Sequence, residues 1–411
     1  MLSVSISLRH VTLYDGVSER PVTDALVLVK DGKIAYAGPR LGSPEYTAEK
    51  EVDGAGGFAL PGLIDLHVHA LGSESALRGF FANGVTTIRD MASPVLQAVE
   101  WRMRERRGEE GLPRIYASGP VLTCEGGYPS SVWGQDVAAF VTGRYQAQEK
   151  VRKLMTMGLD VVKVGLEHEL GPCLSQTEVT AVAQAAKSFR KRTTAHLTSA
   201  KDFELALRAG VDEAAHMPAR EISDDLWKEA VAKGMVILPT LHAHAGWAEE
   251  WKRKEDHPFG CRCLAGFREG YHQALKNTER FLSLGGKVAY GTDAGNPHMP
   301  FGVSVEEWQD LQLCGVSPAQ CLRMATSDAA KVLGEEDRLG TLAKGFMADL
   351  AFYKYDPLQN PENFKTLQWT LKGGEWIKAG VLEYPPEFDL DYWISQWEKN
   401  RKNGPRVEED D

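Results

Sequence analysis

Two rhythms of apolar and polar positions run through the chain. From Val4 to Val52, short β-rich runs alternate with turns. Leu26–Val29 and Ile34–Ala37 flank Asp31-Gly32, and an Asp-Gly pair between two such runs predicts a hairpin. From Leu63 onward the pattern becomes strand then helix, repeatedly. Apolar runs predict strands at Leu63–His69, Val85–Met91, Arg114–Leu122, Val161–Leu166, Thr193–Leu197, Val211–His216, Met235–Leu241 and Val288–Asp293. Amphipathic segments of helical length lie between most of them, such as Ser75–Asn83, Tyr145–Met157, Ser175–Arg190, Ala200–Ala209, Ser223–Ala232 and Phe267–Leu284. Gly84, Gly158, Gly210 and Gly234 each separate such a segment from the next apolar run, where a helix end favours positive φ.

Eight strands alternating with helices predict an α/β chain folded as a (β/α)8 barrel, with an open doubly wound sheet as the competing arrangement. β-structure returns at the end, as a strand pair over Leu367–Lys372 and Glu375–Lys378. The expected plan is a β-unit from residues 1–60 plus 340–383, a barrel over 61–339 and a surface tail over 384–411. Two long connections, Thr123–Gln146 and Leu241–Gly266, read as loops at the strand ends, where function concentrates.

Composition narrows the classes. The 411 residues are 43% hydrophobic, enough for a large core. A net charge of -10, with an acidic end at Glu408–Asp411, argues against non-specific nucleic-acid binding, which needs basic surface. The six cysteines are scattered without disulfide or zinc-finger spacing, and Cys261 and Cys263 read as two loop thiols. No signal peptide is expected from Met1–Arg9, and no apolar run is long enough to span a bilayer. A cytoplasmic protein with a small-molecule substrate and no nucleic-acid or membrane partner is expected. A homo-oligomer is left open.

The candidate chemistry sits at predicted strand ends. His67 and His69, two apart on a strand, point to one side and can aim two imidazoles at one point. His196 ends the fifth strand, His216 the sixth and Asp293 the eighth, while Lys163 lies inside the fourth. Each has an ordinary explanation alone, as a hydrogen-bonded polar residue, a snorkelling lysine or a turn residue. None of these explains why all six share one end of different strands. Four histidines and an aspartate suit a borderline divalent cation. Ammonium is no ligand, but an apolar strand favours the neutral amine. A neutral amine can take up carbon dioxide as an anionic, bidentate carbamate.

The set resembles the amidohydrolase superfamily, in detail its imidazolonepropionase-like and prolidase-like metal-dependent hydrolases. The resemblance rests on His67-Val68-His69, Lys163, His196, His216 and Asp293. Leu60-Pro61-Gly62-Leu63-Ile64-Asp65 and Leu339-Gly340-Thr341-Leu342…Gly345…Ala348-Asp349-Leu350 extend it. It implies a metal-bearing barrel with a small β-sandwich built from both chain ends. It implies two divalent metal ions, zinc first among them. His67, His69 and Asp293 hold one, His196 and His216 the other, and carboxylated Lys163 bridges both. It implies hydrolysis of a C–N amide bond in an N-acyl amino acid, a dipeptide or a cyclic amide, with Asp293 moving the proton.

Two departures narrow the activity. Prolidase-type relatives often carry a tyrosine shortly after the strand-five histidine, where this chain has Leu197-Thr198-Ser199. Imidazolonepropionases lack the strand-four lysine. Tyr128, His242 and Arg220 are the candidate substrate contacts. The competing functions are a hydrolytic deaminase or dehalogenase of a ring substrate, and a non-catalytic barrel scaffold.

Overall fold

The computed structural model describes residues 2–254, 260–296 and 299–380, with Asp391, Ile394 and Ser395. Apart from those three residues, the expected tail lies outside the described residues. The chain opens with β1 (Leu2–Leu13), β2 (Val22–Lys30), β3 (Lys33–Pro39), β4 (Tyr46–Asp53) and β5 (Phe58–Pro61). Asp31 and Gly32 take φ of 50° and 72°, the left-handed pair that a tight hairpin between β2 and β3 requires.

Strands then alternate with helices. They are β6 (Leu63–Val68), β7 (Val85–Asp90), β8 (Arg114–Ala117), β9 (Val121–Thr123), β10 (Ala138–Phe140), β11 (Val161–Gly165), β12 (Arg192–His196), β13 (Glu213–Ala215), β14 (Val236–Leu238) and β15 (Lys287–Val288). Four of the helices between them are capped by serines: Ser73, Ser175, Ser199 and Ser223 each accept a backbone N–H of the first turn. Gly210 and Gly234 close two of them in the left-handed conformation, as the sequence predicts. The chain returns through β16 (Leu350–Tyr353), β17 (Leu367–Lys372) and β18 (Glu375–Lys378).

Strands from both chain ends join one eight-stranded sheet, in the order β18-β17-β16-β5-β1-β2-β3 with β4 on β1. Its core includes Leu8, Leu13, Val27, Val29, Leu350 and Leu371. The middle strands form two parallel sheets, β6-β7-β8 and β10-β9-β11-β12-β13-β14-β15. Backbone hydrogen bonds connect these sheets at both edges. Asp160 N–H, just before β11, donates to Ala117 O at the end of β8 (3.0 Å), and Asp293 N–H donates to His67 O in β6 (2.8 Å). Register sets Gly165, His196, Ala215 and Leu238 side by side at the C-terminal ends of β11 to β14. The fold is thus α/β with parallel strands, as the alternation predicts.

Four expectations change. The predicted eighth strand Val288–Asp293 shrinks to β15, and Asp293 lies five residues beyond it. The predicted strand Arg114–Leu122 divides into β8 and β9 around Ser118-Gly119-Pro120, where Pro120 lacks an N–H and Gly119 takes φ 68°. The Thr123–Gln146 connection carries the short helix Ser130–Trp133 and β10. The Leu241–Gly266 connection is largely helical, through Leu241–Lys252 and the start of Gly260–Ser283, so Cys261 and Cys263 lie on a helix. Those two helices pack together, with Trp247 stacked on Phe267 at 5.9 Å. Only a narrow apolar stripe, including Leu241, Ala243 and Ala248, is buried in the first of them, which hid the helix behind its polar residues. Among the described residues, no helix is long and apolar enough to cross a membrane.

A buried ion pair crosses the interior below the strand ends. Arg89 Nη2 meets Glu213 Oε2 at 2.6 Å, and Arg89 Nε donates to Leu66 O at 2.9 Å. Thr194 Oγ1 donates to Glu213 Oε2 at 2.9 Å, and Arg192 pairs with its other oxygen. Burial opposes ionisation of Glu213, but Arg89 and Arg192 outweigh it and hold the carboxyl down to about 2. Because this folded value lies below the ordinary 4.5, the stabilisation is full above the ordinary value and is lost as pH falls toward 2. Arg89→Leu should leave Glu213 buried without its main partner and cost roughly 3–5 kcal/mol. Denaturant unfolding at pH 7 measures the loss, and the gap to wild type should shrink below pH 4.

Candidate metal centre

The six predicted residues lie at or near the C-terminal ends of the parallel strands. Asp293 Oδ1 is 3.1 Å from His69 Nε2 and 3.4 Å from His67 Nε2. One donor atom from each of these three residues lies within 4.8 Å of the others. Lys163 Nζ is 3.3 Å from His67 Nε2. The His216 ring lies 4.8 Å from that of His67 and 4.7 Å from that of His196. All six are thereby joined in one cluster.

Local backbone explains the convergence. β6 places His67 inside, and the bond from Asp293 N–H to its carbonyl brings in the distant segment after β15. Asp65 locks that junction: Thr292 Oγ1 donates to its Oδ2 at 2.6 Å, and the His67 and Thr292 amides donate to Oδ1. Gly295 has φ 109°, and a Cβ there would stand 2.1 Å from His69 O, so a side chain would break the approach. Asp293 and His216 take φ of 63° and 88°, and Thr240, whose Oγ1 bonds His216 Nδ1 at 2.7 Å, takes 44°. Such backbone costs about 1–3 kcal/mol per residue and persists where the surroundings hold it.

The electrostatics suit metal ligation. Burial, with Lys163 next, drives the imidazolium form of His67 well down and takes His196 to about 3. Burial likewise lowers His216, against the pull of Asp293. Their lone pairs are therefore free for a cation at neutral pH. Burial opposes charge on Asp293 too, but His216, His69 and Lys163 hold its carboxyl below the ordinary value. Burial brings Lys163 down to about 7, so much of its amine is neutral. Asp293 Oδ1 and His67 Nδ1 are buried without a hydrogen bond of normal geometry. A neutral nitrogen set, an ionised carboxylate and these unsatisfied atoms fit a divalent cation.

The substrate candidates divide. Tyr128 stacks on His196 at 3.9 Å with its hydroxyl accepting from Trp133 Nε1 at 3.2 Å, so it belongs to the site. Arg220 is half-exposed and pairs with Glu169 at 3.2 Å, beside the cluster. His242 lies elsewhere: its Nδ1 faces Asp310 Oδ2 at 3.4 Å and its amide donates to Glu307. His244, on the same helix, is the histidine coupled to the cluster, through Asp293 and His216. Its imidazole is held down to about 4 by burial, with the charge of Asp293 opposing. The reason is helical: the segment expected as loop is a helix, where i and i+2 point apart. Glu167 and Thr240, which touch His196 and His216, also escaped the sequence reading. Neither belongs to a motif, and only distance reveals them.

Two other features stand apart. His168, Cys173 and Asp202 also gather, but His168 and Ser199 already hydrogen-bond Asp202. A polar cavity of about 1150 Å³ lies at the other ends of the strands, lined by Arg114, Asp160, Arg192 and Arg338, and holds none of the six residues.

Residues 58–377 match the profile of the amidohydrolase family. The chain belongs to that family. It is a metal-dependent hydrolase acting on carbon–nitrogen bonds. It is 23% identical to the imidazolonepropionase of Deinococcus radiodurans over 406 residues, covering 88% of this chain and 96% of that one. It superposes on a Xaa-Pro dipeptidase with bound methionine at TM-score 0.79, with 23% identity, covering 91% of this chain and 99% of the other. A putative prolidase from Bifidobacterium longum gives TM-score 0.80 at 22% identity, covering 97% and 100%. These structural likenesses establish a common fold.

For this amidohydrolase the two neighbouring histidines separate by experiment. His244→Ala should lower kcat/KM about tenfold or more, and His242→Ala should change it less than about twofold. Steady-state kinetics on one hydrolysed amide compares them, and equal effects would contradict the placement.

Proposed function

We propose that this amidohydrolase cleaves an amide bond of an N-acyl amino acid, dipeptide or cyclic amide, using two divalent metal ions, zinc first among them. The observation that carries the reading is the convergence of His67, His69 and Asp293 with Lys163 at the His67 side of the cluster. His67, His69 and Asp293 would hold one ion, and His196 and His216 the other. Carboxylated Lys163 would bridge them. Its support is a buried amine, 2% exposed, in an apolar strand. Bound metal supplies a polarised carbonyl and an acidified water.

The chain's own residues do the rest. Asp293 accepts a proton from the attacking water and returns it to the leaving nitrogen. His216 and Asp293 are held in left-handed backbone, so their donor atoms need not reorganise on binding. Tyr128 covers one face of His196 and narrows the access of water. Arg220, exposed and paired with Glu169, would meet a substrate carboxylate by exchanging that partner. His244 is the better candidate than His242 for contact near the scissile bond.

The architecture proposed is a closed (β/α)8 barrel over 61–339, with 1–60 and 340–383 forming a β-sandwich. The bonds from β6 to the segment after β15, and from β8 to the start of β11, support closure. The shared sheet of β1–β5 and β16–β18 supports the second unit. After β12, where the resemblance leads one to expect a tyrosine, Thr198 donates to Glu167 and Ser199 caps a helix. This favours an amide other than the Xaa-Pro bond named for one structural neighbour.

Elemental analysis of protein purified without added metal should find two divalent ions per chain. Asp293→Asn should keep the fold and most of the metal yet lose roughly 10²–10⁴-fold in kcat, because an amide cannot serve as the base. A metal-loaded, folded Asp293→Asn chain with wild-type kcat/KM would overturn the assignment. Lys163→Ala should lose metal, and a short carboxylic acid should restore part of the activity. A structure showing a bare Lys163 beside a fully loaded site would contradict the bridge.

A further inference from the structure

His196 and His216 each have one ring nitrogen engaged from outside the cluster. For His216 it is Nδ1, bonded to Thr240 Oγ1 at 2.7 Å, which leaves Nε2 for a ligand. For His196 it is Nε2, which faces Glu167 Oε2 at 3.5 Å, and this leaves Nδ1. Metal-bound histidines commonly present their second nitrogen to a carboxylate, carbonyl or water, which fixes the tautomer and raises ligand basicity.

Glu167 is built into place for that task. It lies two residues beyond β11 and is 3% exposed. Thr198 Oγ1 donates to its Oε2 at 2.6 Å, and its own amide donates to Cys173 Sγ at 3.1 Å. Its Oε1 is buried without a hydrogen bond of normal geometry. Tyr128, stacked on His196 at 3.9 Å, keeps the ring from tipping. The freedom left to His196 is a half-turn of the ring, which exchanges Nδ1 and Nε2. Stacking does not distinguish the two faces of that turn, and a carboxylate does. A carboxylate only accepts, so it favours N–H at Nε2 and a lone pair at Nδ1.

We infer that Glu167 is the positioning residue of the second metal, holding Nε2–H of His196 so that Nδ1 presents its lone pair to the ion. This rests on the two-metal reading above. The roles differ between the two histidines: a neutral hydroxyl holds His216, and a carboxylate holds His196. Thr198, two residues after His196, orients Glu167.

The test measures metal binding by the full chain, without substrate. Wild type and Glu167→Gln are stripped, reloaded with zinc and titrated with a competing chelator. His196 and Thr198 share Oε2, so Gln either puts its NH2 there, a donor that favours the opposite tautomer of His196, or keeps an uncharged oxygen there that holds Nε2–H more weakly. One of the two ions should bind about 10–100-fold more weakly, with the other unchanged. The melting temperature of the metal-free chain should stay the same. A merely structural role would not single out one ion. Thr198→Val serves as the second variant, should Glu167→Gln fail to fold, and should weaken the same ion by a few-fold. Two ions held by both variants with wild-type affinity would overturn the inference. A wild-type chain that never takes a second ion would overturn the two-metal reading and the inference with it.

Discussion

The cluster depends on one backbone junction. Asp293 N–H donates to the carbonyl of His67, and Asp65 clamps both sides of that bond through Thr292 and the His67 amide. Asp65 and Thr292 are 227 positions apart in sequence. Without this junction His67 and Asp293 would belong to separate segments. With it, a carboxylate stands within 3.4 Å of two imidazoles. Asp65 is itself buried, and burial raises its carboxyl to about 7 against the bonds it accepts. A costly buried acid is thus kept where it aligns the two strands.

Charge in the interior is layered. Arg89 and Glu213 neutralise each other across the strands, with Arg192 beside them. Above them, the positive field of Arg89 adds to burial in lowering Lys163 and His67. Asp293 works in the other direction on Lys163, His196 and His216. The outcome is neutral nitrogens around an ionised carboxylate. That arrangement repels a proton from the ligand atoms and attracts a divalent cation. The same geometry carries the strained backbone of His216, Thr240 and Asp293, which a closely packed set of strand ends can sustain.

Much of this was legible in the residue order. Parallel strands and helices follow from apolar runs separated by amphipathic segments, and the Asp31-Gly32 hairpin and the final strand pair follow from turn chemistry. Lys163 and His196 were readable because strand position and residue type coincide, and His216 and Asp293 because they follow short strands, one residue past β13 and five past β15. The Leu241–Gly266 stretch was not, because a helix with a narrow buried stripe looks polar in sequence. That misreading carried His242 into the candidate site in place of His244, two residues further along a helix and so turned to another face.

The sequence by itself determined the alternation, the residue types and their order, because local propensity and hydrophobic period act over a few residues. It therefore specified which side chains reach the strand ends. Tertiary structure alone decided which of them meet. Glu167 finds His196, Thr240 finds His216, and Tyr128 lies over an imidazole, through contacts between segments with no shared period. Burial is equally a property of the assembled fold. It lowers the lysine to about 7 and leaves the histidines as neutral imidazoles, because removing water raises the cost of charge.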